Sequence, residues 1–373
     1  YRVVARTLSK RQFRPEAVKT RESKRLQQVL AYVNDVQDGN TIVYSGFSPF
    51  VGSGDIVGSW SFSLNVEIGK RLPASTVASE KRFTPIAFNV SQLYNEVKEA
   101  IYGLRIPEVN VADRLYVHGQ EIRADRYFLA HPLARPYPIV SEAVVSKYKE
   151  RPASAIRYYQ CIEASSWNGD LITSVYLRFV LTGCYLFAEA NYLVLSPLKE
   201  EYRVVDSMQQ NPSWHKQWSF APKSLLVTLK WMLFWWVIIF SRMSDRYDRA
   251  GERRRMRAMI KEDEAFDYGA VESIRERESS GAYRQYFQKL DTQMYMRTIE
   301  KQVFDTITEF LDEHDIDTSE LKSRQEMILN SGVIMTGGSI QTTSMAVGQQ
   351  AVSNVQLQKG TSAGTQAPGA APS

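Results

Sequence analysis

The side chains best suited to acid–base chemistry lie between Asp113 and His131: two imidazoles, His118 and His131, with three carboxyls, Asp113, Glu121 and Asp125. An imidazole titrating near neutrality beside a carboxylate is what proton transfer requires. The spacing works against it. On a strand, residues three apart face opposite ways, which parts His118 from Glu121. No HxxxH or HExxH pattern occurs among the four histidines, so no metal and no cofactor are expected. The nucleophile candidates, Ser45 and Cys161, lack a GxSxG context. A hydrolase-type enzyme housed in residues 36–210 therefore stands only as the alternative to a non-enzymatic reading.

A second candidate site is the loop Gly46–Ser59, GFSPFVGSGDIVGS. A phosphate-cradling loop needs a lysine and a hydroxyl residue opening a helix, but this loop carries no lysine and leads into a strand. Two readings remain open. As a ligand-binding loop it would use Gly46, Phe47, Phe50, Gly52 and Gly54, with Trp60 just beyond. As a structural loop it would fold Phe47 and Phe50 back onto a sheet as a plug.

The elements that must position these residues are partly legible. Leu26, Val29, Leu30 and Val33 recur at helical spacing within a basic segment, residues 1–35. TIVYS at Thr41–Ser45 and the alternating WSFSLNV at Trp60–Val66 read as strands, as do Thr84–Val90 and Arg114–Ile122. Ser91 is a natural cap for a helix over Gln92–Tyr102, with Leu93, Val97, Ala100 and Ile101 on one face and Gly103 closing it. Pro132, Pro136 and Pro138 predict an irregular stretch. The apolar run Leu171–Leu198 is interrupted by Arg178, Glu189 and Asn191, and Thr182-Gly183 sits where a hairpin would turn; two long paired strands are expected. Tyr283–His314 is predicted helical, its stripe including Ile299, Val303, Ile307, Phe310 and Leu311 being broad enough to pack on a partner helix. Thr318 caps a further helix over Ser319–Leu329.

Between the strands and the long helix lies Ser224–Phe240, SLLVTLKWMLFWWVIIF, with Lys230 its single charge. A helix over Ser224–Ser241 would be roughly 27 Å long, against a hydrocarbon core of about 30 Å. Spanning, interfacial and buried-core readings all fit. Lys230 could snorkel, while Trp231, Trp235 and Trp236 seek an interface yet sit mid-segment. Downstream, Arg242, Arg246, Arg249, Arg253, Arg254, Arg255, Arg257 and Lys261 form a basic flank suited to anionic lipid, with Asp245, Asp248 and Glu252 interleaved. If the segment spans, this asymmetry puts the C-terminal side in the cytoplasm. The expected partners are therefore membrane lipids rather than nucleic acid, and the expected location is the plasma membrane of a bacterium. The net charge of +5 is concentrated in this flank and in the N-terminal forty residues. Cys161 and Cys184 form no disulfide framework or metal spacing and suit a reducing compartment. The start at Tyr1 rather than methionine reads as that of a fragment.

From Asn330 the composition turns to Gly, Ser, Thr, Gln and Ala, with Lys359 the only charge left. Within Val333–Val355, short apolar patches alternate with glycine or polar turns. This suits either a flexible tail or stacked strands.

The blocks VYSGFSPFVGSG…WSFSLNV and IDTSELKSRQEMILNSGVIMTGGSIQTTSMAVG resemble uncharacterised membrane proteins of Streptomyces and related actinobacteria. That family has no assigned activity, so the resemblance implies a membrane protein and no functional residue. Val355-Gln356-Leu357 is similar to the core of bacterial amyloid-signalling motifs likened to the RIP homotypic interaction motif, with Gln358 where that motif has glycine.

The expected fold class is α+β. A mixed or antiparallel sheet domain (36–210) is followed by one hydrophobic helix read as transmembrane (211–241), a basic juxtamembrane and helical region (242–329) and a low-complexity tail (330–373). The expected function is a membrane-anchored sensor, scaffold or assembly protein, with self-association through helices 283–314 or the tail 333–355.

Overall fold

A computed structural model describes residues 13–14, 24–72, 82–207, 251, 254–255, 257–262 and 265–331. They form an α+β domain around one six-stranded mixed sheet of order β1-β3-β4-β5-β6-β2. The strands are β1 (Thr41–Tyr44), β2 (Asp55–Asn65), β3 (Val109–His118), β4 (Ile156–Ser166), β5 (Leu171–Thr182) and β6 (Tyr185–Leu195). β1 runs parallel to β3, and every other neighbouring pair is antiparallel. The helices are α1 (Lys24–Gln37), α2 (Val90–Gly103), α3 (Glu142–Glu150), α4 (Val204–Ser207), α5 (Ile274–Arg277), α6 (Tyr286–Glu313) and α7 (Ser319–Ser331).

One face of the sheet is covered by α2 and α6. Leu93, Tyr94, Val97 and Ile101 of α2 and Ile299, Val303, Phe304 and Ile307 of α6 are buried in one core with Leu115, Ile162, Val175, Leu177 and Ala190 of the strands. Polar atoms seat α2: the Tyr94 hydroxyl takes the Phe179 N–H at 2.7 Å, and Gln160 Nε2 donates to the Tyr94 carbonyl at 2.9 Å. The expected stripe on the long helix is thus spent on the sheet. Only its N-terminal part leaves large apolar side chains outside, at Tyr286, Phe287, Leu290 and Met294.

Several expectations are corrected. Among the described residues no helix is long and apolar enough to cross a membrane, so the fold class stands without its transmembrane helix. Ser224–Phe240, with Lys230, Trp231, Trp235 and Trp236, lies outside the described residues, as do Arg242, Arg246, Arg249, Arg253 and the tail 333–355. The long helix is part of the sheet domain's own core rather than a separate region after it.

Local boundaries also shift. Thr84–Val90 is not a strand, because the α2 cap lies there: Asn89 Oδ1 accepts the Ser91 N–H and Gln92 Oε1 accepts the Asn89 N–H, each at 2.9 Å. This reciprocal box outcompetes Ser91 as the cap. β2 begins at Asp55, so the glycine loop is shorter than Gly46–Ser59.

Candidate functional site

The second face of the sheet carries Ala112, Arg114, Tyr116 and His118 of β3, Arg157, Tyr159, Cys161 and Glu163 of β4, Ser174, Tyr176 and Arg178 of β5, and Glu189 and Asn191 of β6. This follows from strand register and two-residue alternation. Two segments lie over it. The loop 46–54 leaves β1 and reaches β2. Segment 267–279 bridges Tyr44 at Ala270 and then touches the β4–β5 turn, where Arg275 Nη2 donates to the Asp170 carbonyl at 2.9 Å. The two segments are joined where Glu276 Oε1 accepts the Gly54 N–H at 2.9 Å.

Phe50 is the centre of this arrangement. Its ring, 4 % exposed, sits among three tyrosines, with centroids 5.3 Å from Tyr116, 5.3 Å from Tyr159 and 4.7 Å from Tyr176. Edge-on and stacked contacts at these separations are the favourable aromatic geometries. Ser53 Oγ and the Tyr176 hydroxyl lie 2.5 Å apart and pin the loop's far end. Gly54 has a φ of +85°, and a Cβ there would fall 2.2 Å from the Val194 carbonyl oxygen, so only glycine lets the loop reach β6 so closely. Gly46, where the loop opens, and Gly52, beside Ser273, also have positive φ.

Phe47, three residues before Phe50, points fully into solvent at 101 % relative exposure. The loop therefore divides its two aromatic rings, one as plug and one presented outward. Trp60 does not join them. It lies on the opposite face, stacked on Phe62 and tilted against Phe304, and its Nε1 donates to the Tyr192 hydroxyl at 2.7 Å.

Beneath and beside Phe50 the face is charged. Arg114 Nη2 meets Glu163 Oε2 at 3.3 Å. Arg178 Nη1 meets Glu189 Oε1 at 3.6 Å, and that oxygen also accepts the Tyr159 hydroxyl at 2.5 Å. Burial, and then Glu189, push the Tyr159 phenol well above its ordinary range. Burial, and then Glu163, push the Cys161 thiol upward, which keeps it protonated and a poor nucleophile.

Where loop and segment meet, a cavity of about 370 Å³ opens, floored by Phe50, Val51 and Ile56 and edged by Asp55, Val271, Glu272 and Glu276. That volume is within the usual range for a binding pocket, about 300–1,000 Å³. Its lining includes three carboxyls and no basic side chain. The Asp55 carboxyl is raised by burial and by the neighbouring Glu276. This pocket was missed from sequence because its acids come from segments more than two hundred residues apart. Glycines at both ends of the loop were the one available signal.

The histidine–carboxyl cluster is dispersed. Asp113 Oδ1 accepts the Tyr158 hydroxyl at 2.6 Å on the helix-covered face, while His118 packs edge-on against Tyr44 on the other. His131 Nδ1 accepts the Leu133 N–H at 3.2 Å, and Asp125 Oδ1 accepts the Tyr127 N–H at 2.8 Å, each within its own turn. Ser45 Oγ donates directly to Asp267 Oδ2 at 2.7 Å. Among the described residues no group of three or more His, Cys, Asp or Glu could hold a metal ion. Of the basic flank, Arg254, Arg255, Arg257 and Lys261 are described and exposed.

A further polar feature escaped the sequence reading. Glu300 of α6, 4 % exposed, accepts the Tyr192 hydroxyl at 2.7 Å, which closes a Trp60–Tyr192–Glu300 chain between helix and sheet. The signal was present, since Glu300 lies four residues after Met296 and four before Phe304, inside the apolar stripe.

The AbeC-like domain family model matches residues 59–341, and the chain belongs to this family. The match begins within β2, so β1 and the loop 46–54 precede it. Membership brings no activity with it and does not bear on the resemblance to actinobacterial membrane proteins. No curated protein and no solved structure matches the chain.

Proposed function

We propose that the chain is a non-enzymatic interaction module, of the scaffold or assembly kind, whose binding element is the loop 46–54 with the acidic-edged cavity beside it. One observation carries this reading. The loop holds Phe50 rigidly in the sheet while leaving Phe47 fully exposed three residues away. A large aromatic side chain presented in solvent on an anchored loop offers a partner the kind of residue that dominates binding energies at interfaces. The groups that acid–base or nucleophilic catalysis would draw on are engaged elsewhere. Ser45 is bound to Asp267, Cys161 is held protonated under the plug, and His131 caps its own turn.

The test replaces Phe47 with a photoreactive benzoylphenylalanine in the cell that makes the protein. A discrete polypeptide adduct is expected at position 47 and none with the same group at position 50. If position 47 yields no polypeptide adduct on illumination, the module reading falls.

A further inference from the structure

We infer that the outward face of the first turns of α6 is a docking strip for the chain's own tail, and that it receives Val333-Ile334-Met335. The inference is independent of the loop and its cavity.

The strip is what remains of the long helix once the sheet has been covered. Tyr286, Phe287, Leu290 and Met294 are exposed, while Gln288, Thr292, Met296 and Ile299 turn inward and are buried. Spacings of three and four residues put the exposed side chains on one face, and the Tyr286 and Phe287 rings meet edge-on with centroids 6.1 Å apart. Four large apolar side chains on adjoining turns form a patch, and a contiguous patch, unlike scattered exposure, marks a contact site.

α7 already uses the same face of α6 further along. Thr318 Oγ1, at the start of α7, donates to Asp312 Oδ1 at 2.7 Å, and Lys322 Nζ donates to Asp312 Oδ2 at 2.8 Å. Gln325 Nε2 then donates to Asp305 Oδ1 at 2.8 Å. Moving forward along α7 thus means moving backward along α6. Asp312, Asp305, Met294 and Phe287 are separated by seven, eleven and seven residues. At about 3.6 residues per turn these steps are close to two, three and two turns, so the four residues fall on one line along the helix. α7 rides that line, and its direction points at the strip.

The distances match the sequence that follows. At about 1.5 Å per residue, Met294 lies roughly 17 Å and Phe287 roughly 27 Å from Asp305 along the axis. By the same rise, α7 covers about 9 Å of this between Gln325 and its end at Ser331. The gaps left are about 8 Å and 18 Å, which a chain advancing about 3.3 Å per residue spans in two to three and five to six residues. Val333-Ile334-Met335 begins two residues past Ser331 and is the first apolar triplet of the tail. No ionisable side chain occurs from Gly332 to Gln358, so laying this stretch on an apolar strip desolvates no charge. So short a tether also holds the triplet at a local concentration on the order of millimolar, against which any free partner must compete.

The full chain tests this with photoreactive benzoylphenylalanine placed at Met294 in one preparation and at Phe287 in another. Both positions are exposed, and each substituted chain should keep the wild-type melting temperature; position 287, aromatic for aromatic, carries the test if the other does not fold. The adduct from position 294 should centre on Val333 and Ile334, and that from position 287 on Thr336 and Gly337. The reacted residue should thus move along the tail as the probe moves back along the helix. In equal mixtures of heavy-isotope-labelled and unlabelled chains, each crosslinked peptide pair should carry a single label. Ile334→Asp should lower the yield at position 294 roughly tenfold, because docking would then desolvate an unpaired carboxylate. Pairs of mixed label would assign the strip to a second copy. Adducts that do not shift with the probe, or a yield indifferent to Ile334→Asp, would reduce the contact to chance collision, and the absence of tail adducts would leave the strip to another partner. Each of these results overturns the proposal.

Discussion

The helix-covered face of the sheet links buried polar groups in hydrogen-bonded chains, whereas the loop-covered face holds them in partly exposed ion pairs. On the first, Trp60, Tyr192 and Glu300 satisfy one another within the apolar core, and Gln160, Tyr94 and the Phe179 N–H form a second such chain. On the second, Arg178 and Glu189 are 14 % and 17 % exposed and Arg114 and Glu163 are 21 % and 26 % exposed, with a single ring, Phe50, as the wedge. A face built from two helices is committed to folding. A face closed by a glycine loop can be committed to folding at its centre and to recognition at its rim.

Truncating the wedge on each face gives the largest effects. Phe304→Ala on α6 and Phe50→Ala in the loop should each cost about 3–5 kcal/mol in urea unfolding, as for a buried phenylalanine. Their local signatures should differ. Phe304→Ala should loosen α6 in hydrogen exchange. Phe50→Ala should loosen loop 46–54 and segment 267–279, because those two are joined through Gly54 and Glu276. If Phe50→Ala costs less than about 1 kcal/mol, the loop is not a structural plug.

The polar chain on the covered face comes next. Tyr192→Phe leaves the Trp60 N–H and the Glu300 carboxyl without their partner and should cost about 1–3 kcal/mol. Burial raises the Glu300 carboxyl above its usual range. Between the unfolded and folded values the native state binds more protons than the unfolded chain. This contribution to stability is therefore complete below the ordinary carboxyl range and is lost as pH rises through the folded value. Glu300→Gln should flatten that decline, leaving the variant relatively more stable near neutrality than in acid. A pH–stability curve parallel to wild type would show that Glu300 is not the group responsible.

How much of this was legible in the sequence follows from the same contrast. β1, the β5–β6 hairpin and the long helix were readable because their patterns carry period or turn chemistry. β4 was not recognised: IRYYQCIEASS is buried on both faces almost throughout, so it has no polar–apolar alternation to detect. The loop's glycines flagged the site, but its acidic edge depends on Glu272 and Glu276 folding back from far along the chain. Trp60 was assigned to the loop by proximity in sequence. One step of strand alternation decides its face, and the strand begins earlier than the alternating run suggested.

On the open face, the Arg178–Glu189 pair should be worth roughly 0.5–1 kcal/mol in a double-mutant cycle, reduced by salt. Its geometry is modest at 3.6 Å, and the shorter bond to that carboxylate comes from Tyr159. Tyr159→Phe should accordingly cost more than Arg178→Met. The reverse order would mean that the ion pair, not the phenol, holds the face together.

The smallest expected effect is the one that sharpens the comparison most. Phe47 and Phe50 share a loop, a residue type and flanking glycines, and differ in burial from fully exposed to 4 % exposed. Phe47→Ala should leave stability within roughly 0.5 kcal/mol of wild type, as for a surface substitution far from any packed feature. The same substitution should weaken binding of the polypeptide that crosslinks at position 47, because the ring exposed in this chain is the one a partner would bury. Stability and association would then separate between two phenylalanines three residues apart. A loss of stability matching that of Phe50→Ala would instead mean that the ring is covered within its own copy, and Phe47 could not serve as the outward anchor.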